Sequence, residues 1–574
     1  MTEEQTQAVE EPQAEKHLQQ DLGELRKLFV IGLIGFLAIF AFGYWRYMPT
    51  PAKGDKIPKQ AFSSKRAFAT LKMLLGDGSP HPVGSKANYL VRDRILAYLK
   101  KLGYQPQIQK GTTKNYRGQT ITVQNIMVRL KGTDSLKSKG KPQGKGGIKQ
   151  TLLLASHYDS VFRGPGAGDA GASVASILEM ARMMKAGKPP KHDVIFLLTD
   201  GEEAGLVGAI VFAKEHPWAK EVGIAINMEA RGVSGPSLMF ETSAQNHWLV
   251  QQYAQVTHRP IAGSLFEAVY KFLPNNTDFT IFRKAGMYGF NFAFIRDVRH
   301  YHTKNDDLKH LSRASLQHQG DNAWALVQRL SHIPWPKKIE GKTIYFDFFS
   351  LFLIWWPLSL TFWIFLFGAG CFAGGVFLLH KRGLIHFSSV LWGLGCVLLA
   401  LLIGILFGVP VDVILHKTKM VTLRHPWTES VTWAWHLLFW AFGFGALFLA
   451  QKILKKRLDF WGIWTAVWLL GMLFSLLLVL KLPTASYLFL VPSLFAGMMG
   501  LVCGVLHQKV DDSELMKLAI VPAFVTACFL LPAEILFYDG LQLTLGTLTT
   551  VRAIGVLVTL APFGLGWMQK TQEG

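Results

Sequence analysis

Long apolar stretches constrain this chain of 574 residues more than any motif in it. One lies at residues 28–47, and seven more are centred near residues 365, 398, 440, 470, 496, 527 and 555. About twenty apolar residues let a helix cross a ~30 Å hydrocarbon core. The first stretch is too long for the apolar region of a signal peptide, so it is expected to remain as an anchor. Residues 49–338, in between, have the mixed charge, short apolar runs and Gly/Pro turns of a soluble domain. The expected organisation is a disordered polar tail (1–27), a transmembrane anchor (28–48), one soluble domain (49–338), a seven-span α-helical membrane domain (344–568) and a short tail (569–574).

Charge in the connecting segments implies an orientation. His380, Lys381 and Arg382, then Lys452, Lys455, Lys456 and Arg457, then Lys509, lie in alternate loops, and basic loops stay cytoplasmic. Lys417, Lys419 and Arg424, in a longer loop on the other side, are the exception. With Arg26 and Lys27 beside the first span, both termini are expected in the cytoplasm. The soluble domain then faces the periplasmic side of a bacterial inner membrane, or an organelle lumen. Cys371, Cys396, Cys503 and Cys528 all fall in expected spans, so the exported domain has no disulfide, which favours a bacterial envelope. The net charge of +21 comes without a basic helix or an aromatic-basic platform, so nucleic acid is not an expected partner; the lipid bilayer is. The lysine-rich segment 131–150 reads as a solvated hairpin loop.

Within the soluble domain, strand-like and helix-like patterns alternate. "TLLLASH" (151–157), "DVIFLLTD" (193–200), "VGIAINME" (222–229) and "GFNFAFI" (289–295) are continuous apolar runs, as expected of strands covered on both faces. Apolar residues at helical spacing occupy 171–184, the stretch after Gly205, and about 313–330. This implies an α/β three-layer sandwich around a mainly parallel mixed sheet, whose sites form at the carboxyl ends of its strands. His157 and Asp159 follow the first strand, Asp200, Glu202 and Glu203 the second, Glu229 ends the third and His302 follows the fourth. Asp169 lies in a Gly-rich loop entering a helix.

Histidines and carboxylates without cysteine suit Zn²⁺, or else Mn²⁺ or Co²⁺. Two histidines and three carboxylates are too many for one tetrahedral catalytic zinc with a water position. They fit two ions if one carboxylate bridges, and Asp169 in its Gly-rich loop is the natural bridge. Such a pair can polarise a carbonyl and hold a hydroxide. One glutamate is left over as a base.

The ordered set "HYDS", "GAGDAGAS", "TDGEEAG", "INMEARG" and "YHTKNDD", with "PHPVGS" upstream, resembles the family 28 zinc metallopeptidases of aminopeptidase type. The resemblance covers roughly residues 67–330. The anchor and multispan region are similar to its endoplasmic-reticulum metallopeptidase and vacuolar membrane protease branch. It implies a zinc exopeptidase-like fold and two Zn²⁺ per chain. His157 and Glu229 would complete one ion, Glu203 and His302 the other, with Asp169 bridging. Glu202 would be the general base and Asp159 would orient His157. Glu229 departs from the Asp of many soluble members, which bears on the metal spacing. The implied activity is hydrolysis of peptide N-termini by metal-bound hydroxide. Two other readings stand beside it: a glutaminyl-cyclase-like acyltransferase on the same fold, with one zinc, and a non-catalytic receptor or scaffold.

Other residues carry two readings each. Arg231 binds a substrate carboxylate or oxyanion, or forms a structural salt bridge. Tyr301 donates to the tetrahedral intermediate, or packs. Asp278, in "NNTDFTIF", is a structural acid, Asp200 holds its turn, and residues 260–274 form an apolar pocket wall. Glu534 and Arg552, within or near the last two spans, are functional, or else pair or sit at the interface.

Overall fold

The computed structural model describes residues 3–54, 57–115, 117–137, 147–271, 273, 275–418, 429–541 and 546–568. In chain order, α1 (Glu3–Arg46), α2 (Ser64–Leu75) and α3 (Lys86–Lys101) lead to β1 (Gln107–Lys114), β2 (Thr120–Leu130), α4 (Thr133–Lys137) and β3 (Thr151–His157). Then come α5 (Ser173–Ala186), β4 (Asp193–Thr199), α6 (Val207–Glu215), β5 (Val222–Ala230), β6 (Ser234–Thr242), α7 (His247–Val256), α8 (Ser264–Tyr270) and α9 (Asp278–Lys284). β7 (Tyr288–Arg296), α10 (Arg313–His332), β8 (Thr343–Phe348) and β9 (Phe352–Pro357) follow. The chain divides into two compact units, one of residues 46–358 and one of residues 1–45 with 359–574.

The 46–358 unit is built on a seven-stranded sheet of order β1-β2-β4-β3-β5-β7-β6. β4, β3, β5 and β7 are parallel, β2 pairs antiparallel with β4 and β6 with β7 at the two sides, and β1 pairs antiparallel with β2 at one edge. Successive β3 residues bury on opposite faces: Leu152 and Leu154 pack with α2, α5 and α10, and Leu153 and Ala155 pack with α6 and α9. This two-sided burial is why the central strands lack polar alternation. Ser63, Ser85 and Ser312 cap α2, α3 and α10 through their side chains. The expected three-layer α/β sandwich around a mainly parallel mixed sheet is observed.

Three expectations change. The domain does not end at 338: β8 and β9 form a hairpin belonging to the same unit, so the aromatic run after Thr343 is strand, and the next apolar helix starts at Leu358. Its Tyr345 and Ile344 are wholly buried, which accounts for a hydropathy that mimics a span. The segment 131–150 is no hairpin loop, because β4 lies between β2 and β3; part of it, 138–146, lies outside the described residues. The tail expected to be disordered is helical from Glu3 onward, continuous with the anchor, through a run rich in the helix formers Glu, Gln and Ala. The tail 569–574 lies outside the described residues, as do Lys419 and Arg424.

The other unit continues with α11 (Thr361–Lys381), α12 (Phe387–Lys417), α13 (Glu429–Leu454), α14 (Phe460–Lys481), α15 (Tyr487–Leu506), α16 (Asp512–Ala519), α17 (Val521–Leu541), α18 (Gly546–Leu557) and α19 (Ala561–Gly564). Among the described residues of the chain, eight helices are long and apolar enough to cross a membrane. α11 and α15 meet through small residues: a Cβ on Gly375 would lie 2.4 Å from the Gly500 backbone, and one on Gly497 2.4 Å from Gly368 O. Such close approach replaces the hydrophobic drive that helices lack in lipid. The four cysteines are free. Glu534 and Arg552 pair at 2.6 Å, and His436 Nε2 lies 3.1 Å from the same carboxylate, tying α13, α17 and α18.

Candidate metal centre

The parallel strands β3, β4, β5 and β7 all end at one edge of the sheet. His157 is in register with Thr199, so the turn leaving β4 emerges beside it. Ala155 is in register with Asn227, which sets His157 and Glu229 at the same height on adjacent strands. The loop after β7 returns across this edge, and His302 there adopts a left-handed backbone with φ of 58°.

Asp169 stands between the two imidazoles. Its Oδ1 is 3.3 Å from His157 Nε2 and its Oδ2 is 3.1 Å from His302 Nε2. Each imidazole has a second acid: Glu229 Oε2 is 3.4 Å from His157 Nε2, and Glu203 Oε1 is 3.0 Å from His302 Nε2. Three groups each bring their ligand atoms within 4.8 Å: His157, Asp169 and Glu229; Asp169, Glu203 and His302; and His157, Glu202 and Glu203. His157, Asp169 and Glu229 are buried, whereas Glu202, Glu203 and His302 are half-buried.

The electrostatics fit a cation. Burial would lower the His302 pKa, but Asp169 and Glu203 hold it up at about 10. Burial opposes protonation of His157 too, yet Glu229, Asp159 and Asp169 raise its pKa well above the usual value. Burial and Asp169 push Glu203 up to about 8. Burial raises Glu202 well above the usual range; His157 opposes this, and Glu229, Glu203 and Asp278 add to it. A buried carboxylate cluster of this kind requires positive charge, which protons on the imidazoles or divalent ions can supply. Carboxylate oxygens and imidazole nitrogens within 4.8 Å of one another are a donor set for Zn²⁺.

The surroundings hold these side chains in place. Asp159 joins the two halves of the centre: its Oδ1 accepts from Glu202 N at 3.0 Å and its Oδ2 from Glu203 N at 3.2 Å, while its backbone carbonyl lies 3.0 Å from His157 Nδ1. Asp200 accepts from Asn88 Nδ2 and Gln124 N, so it holds the turn. Asp278 is buried and accepts from the Thr199 hydroxyl, in keeping with a structural acid.

Two supports went unseen in the sequence. Asp306 accepts from Gly168 N at 2.6 Å and Asp169 N at 3.2 Å, fastening the Gly-rich loop; it lies in the "YHTKNDD" motif without a role of its own there. A polar row also crosses three strands. Asn227 Nδ2 donates to Glu229 Oε1 and to Asn291 Oδ1, both at 3.1 Å, and Asn291 Nδ2 donates to Glu241 Oε2 at 3.0 Å. Glu241 pairs in turn with Arg283 at 3.0 Å. The lone Asn in the apolar strand "GFNFAFI" was the available signal.

The Tyr301 ring stacks on His302, centroids 3.7 Å apart, and its hydroxyl feels Asp169, Glu203, Glu202 and Arg231. The Arg231 backbone is bonded to Phe294, but its guanidinium has no hydrogen bond or ion pair among the described residues, so the structural salt bridge is not seen. Within 260–274, Tyr270 packs edge-on against Phe240; Phe272 and Pro274 lie outside the described residues.

Residues 137–327 match the family model of peptidase family M28, and this segment is an M28 peptidase domain. Endoplasmic reticulum metallopeptidase 1 of Mus musculus is 34% identical over 243 residues, 41% of this chain and 26% of that protein. Vacuolar membrane protease of Schizosaccharomyces japonicus is 31% identical over 342 residues, 58% of this chain and 38% of that protein. The chain spans less than half the length of these relatives. Among solved structures, the aminopeptidase from Aneurinibacillus sp. strain AM-1 aligns with a TM-score of 0.39 and 15% identity over 50% of this chain and 97% of that one. Glutaminyl cyclase from Porphyromonas gingivalis aligns with a TM-score of 0.36 and 17% identity over 46% and 98%.

Proposed function

We propose that this chain is a membrane-anchored, di-zinc metallopeptidase that removes residues from the N-termini of peptides. The observation that carries the reading is the division of the Asp169 carboxylate between two imidazoles, each with its own further acid. His157, Asp169 and Glu229 would hold one zinc ion, and Asp169, Glu203 and His302 the other. Bound there, zinc supplies Lewis acidity toward the scissile carbonyl and lowers the pKa of water.

Glu202 is the spare carboxylate, with its backbone held by Asp159 and its side chain grouped with His157 and Glu203. It takes a proton from the attacking water and returns it to the leaving amine; its burial favours the protonated form through which such an exchange passes. Asp159 acts as a positioning residue. Tyr301 offers its hydroxyl to the developing oxyanion, and the unpaired Arg231 offers charge to that oxyanion or to a substrate carboxylate. The basic ends of the apolar helices support cytoplasmic termini and an exported peptidase domain.

Glu202→Gln is expected to keep its zinc and to lose turnover of aminoacyl reporters by about 10²- to 10⁴-fold. Wild-type turnover in that variant would refute the base assignment. A peptide with N-terminal glutamine separates hydrolysis from cyclisation by its product. Metal analysis should find about two zinc ions per chain, and fewer than about one in active protein would remove the two-ion reading.

A further inference from the structure

A cavity of about 310 Å³ lies within the unit of apolar helices, between α1, α13 and the helical segments from α18 to the end of the described chain. Leu33, Phe444, Phe448 and Leu560 are among the side chains that make its wall apolar. The polar exception, Gln451, gives its amide hydrogen to Ala561 O at 2.6 Å, so it adds no free donor there. From Phe444 to Gln451 the cavity follows about two turns of α13, roughly 10 Å.

At one end, three helical segments stop being apolar together. The apolar run of α1 begins after Arg26 and Lys27, that of α13 ends at Gln451 and Lys452, and the last segment ends at Trp567 and Met568. Trp567 lines the cavity, is 58% exposed, and has the Arg26 guanidinium 5.7 Å from its ring centroid. Tryptophan and basic residues at the end of an apolar helix mark the headgroup level of a bilayer. Lys27 is paired with Glu24 at 2.7 Å. Among the described residues Arg26 hydrogen-bonds only to a backbone carbonyl, that of Gly566, and exposed Lys452 has no acidic partner. An apolar slot therefore opens at headgroup level beside uncompensated positive charge.

We propose that this cavity seats an acyl chain of an anionic phospholipid whose phosphate is bound by Arg26 and Lys452. A neutral lipid would fill the slot but leave that charge unanswered, and a soluble anion would meet the charge but not the slot. Basic pockets between membrane helices select anionic headgroups for this reason.

The test is native mass spectrometry of the purified full chain with added phosphatidylglycerol or phosphatidylcholine of the same acyl length. Phosphatidylglycerol should be retained in preference, on the order of tenfold. Arg26→Gln with Lys452→Gln should bring its retention down to that of phosphatidylcholine. Leu33→Trp, which fills the slot, should reduce retention of both lipids. Equal retention of the two lipids by the wild type, or an unchanged preference in the double variant, would overturn the proposal. Arg26 is half-buried and bonded to Gly566 O, so the double variant should first be shown to keep the wild-type circular dichroism; Lys452→Gln alone, at an exposed side chain, should lower the preference for phosphatidylglycerol whether or not the other variants fold.

Discussion

Replacing Asp159 with Asn perturbs the centre without removing a metal ligand. In the native chain both Asp159 oxygens accept backbone N–H groups, from Glu202 at 3.0 Å and Glu203 at 3.2 Å, and Oδ1 lies 3.5 Å from His157 Nδ1. An asparagine brings one oxygen and one NH2. However the amide is turned, one backbone N–H meets a donor, and the charge that strengthened both bonds is lost. A hydrogen bond to a charged group contributes about 1.5–3 kcal/mol. At ~1.4 kcal/mol per factor of ten, the lost orientation of Glu202 and Glu203 should lower zinc affinity or kcat/KM by roughly 10- to 150-fold. Zinc affinity is measured by competition with a chromogenic chelator, and kcat/KM on an aminoacyl reporter with zinc in excess. If the variant matches the wild type in both within about twofold, Asp159 does not hold the centre together and the reasoning fails.

Three other changes probe separate parts of the fold. A Cβ on Gly168 would lie 2.6 Å from Gly232 O and 2.9 Å from Asp306 Oδ1, so Gly168→Ala should displace the Asp169 loop and lower zinc retention while the circular dichroism spectrum is kept; full zinc content would contradict this. Asn291→Leu leaves Glu241 and Asn227 each short of a partner, and should cost about 1–3 kcal/mol of stability and weaken the metal position that includes Glu229, which thermal melts with and without zinc would reveal. Burial lifts Asp347 to about 6 from 3.8, against the pull of donors from Ser350, Ala262 and Tyr47. The folded chain then binds this proton more tightly than the unfolded chain, so stability falls as pH rises across that window. Asp347→Asn should flatten the dependence of the melting temperature between about pH 4 and 6, and parallel profiles would show that the group does not contribute.

Much of the architecture was legible because its signals are local. A membrane-crossing helix must be apolar for about twenty residues, and a strand covered on both faces must be apolar throughout, so residues 151–157, 193–200, 222–229 and 289–295 stood out, each within about a residue of an observed strand. The strands without such coverage were missed. β1, with its sequence "QIQKGTTK", is a polar edge strand, and β6 carries Gly235 and Pro236 at an edge where antiparallel pairing tolerates them. The β8–β9 hairpin was read as membrane because its run of aromatic and aliphatic residues, buried along the first part of β8 and only partly covered along β9, has the same hydropathy as a lipid-facing helix.

By itself the sequence determined the chemistry of the centre: histidines and acids at the ends of parallel strands, and two adjacent glutamates after β4. Only the tertiary structure decided how they divide. That Asp169 turns one oxygen to each imidazole depends on Asp306, which lies far along the chain. That Glu229 is backed by Asn227, Asn291 and Glu241 depends on the register of three strands. Periodicity along a chain reports what each residue faces, whereas register across strands is set by long-range packing that no single segment contains.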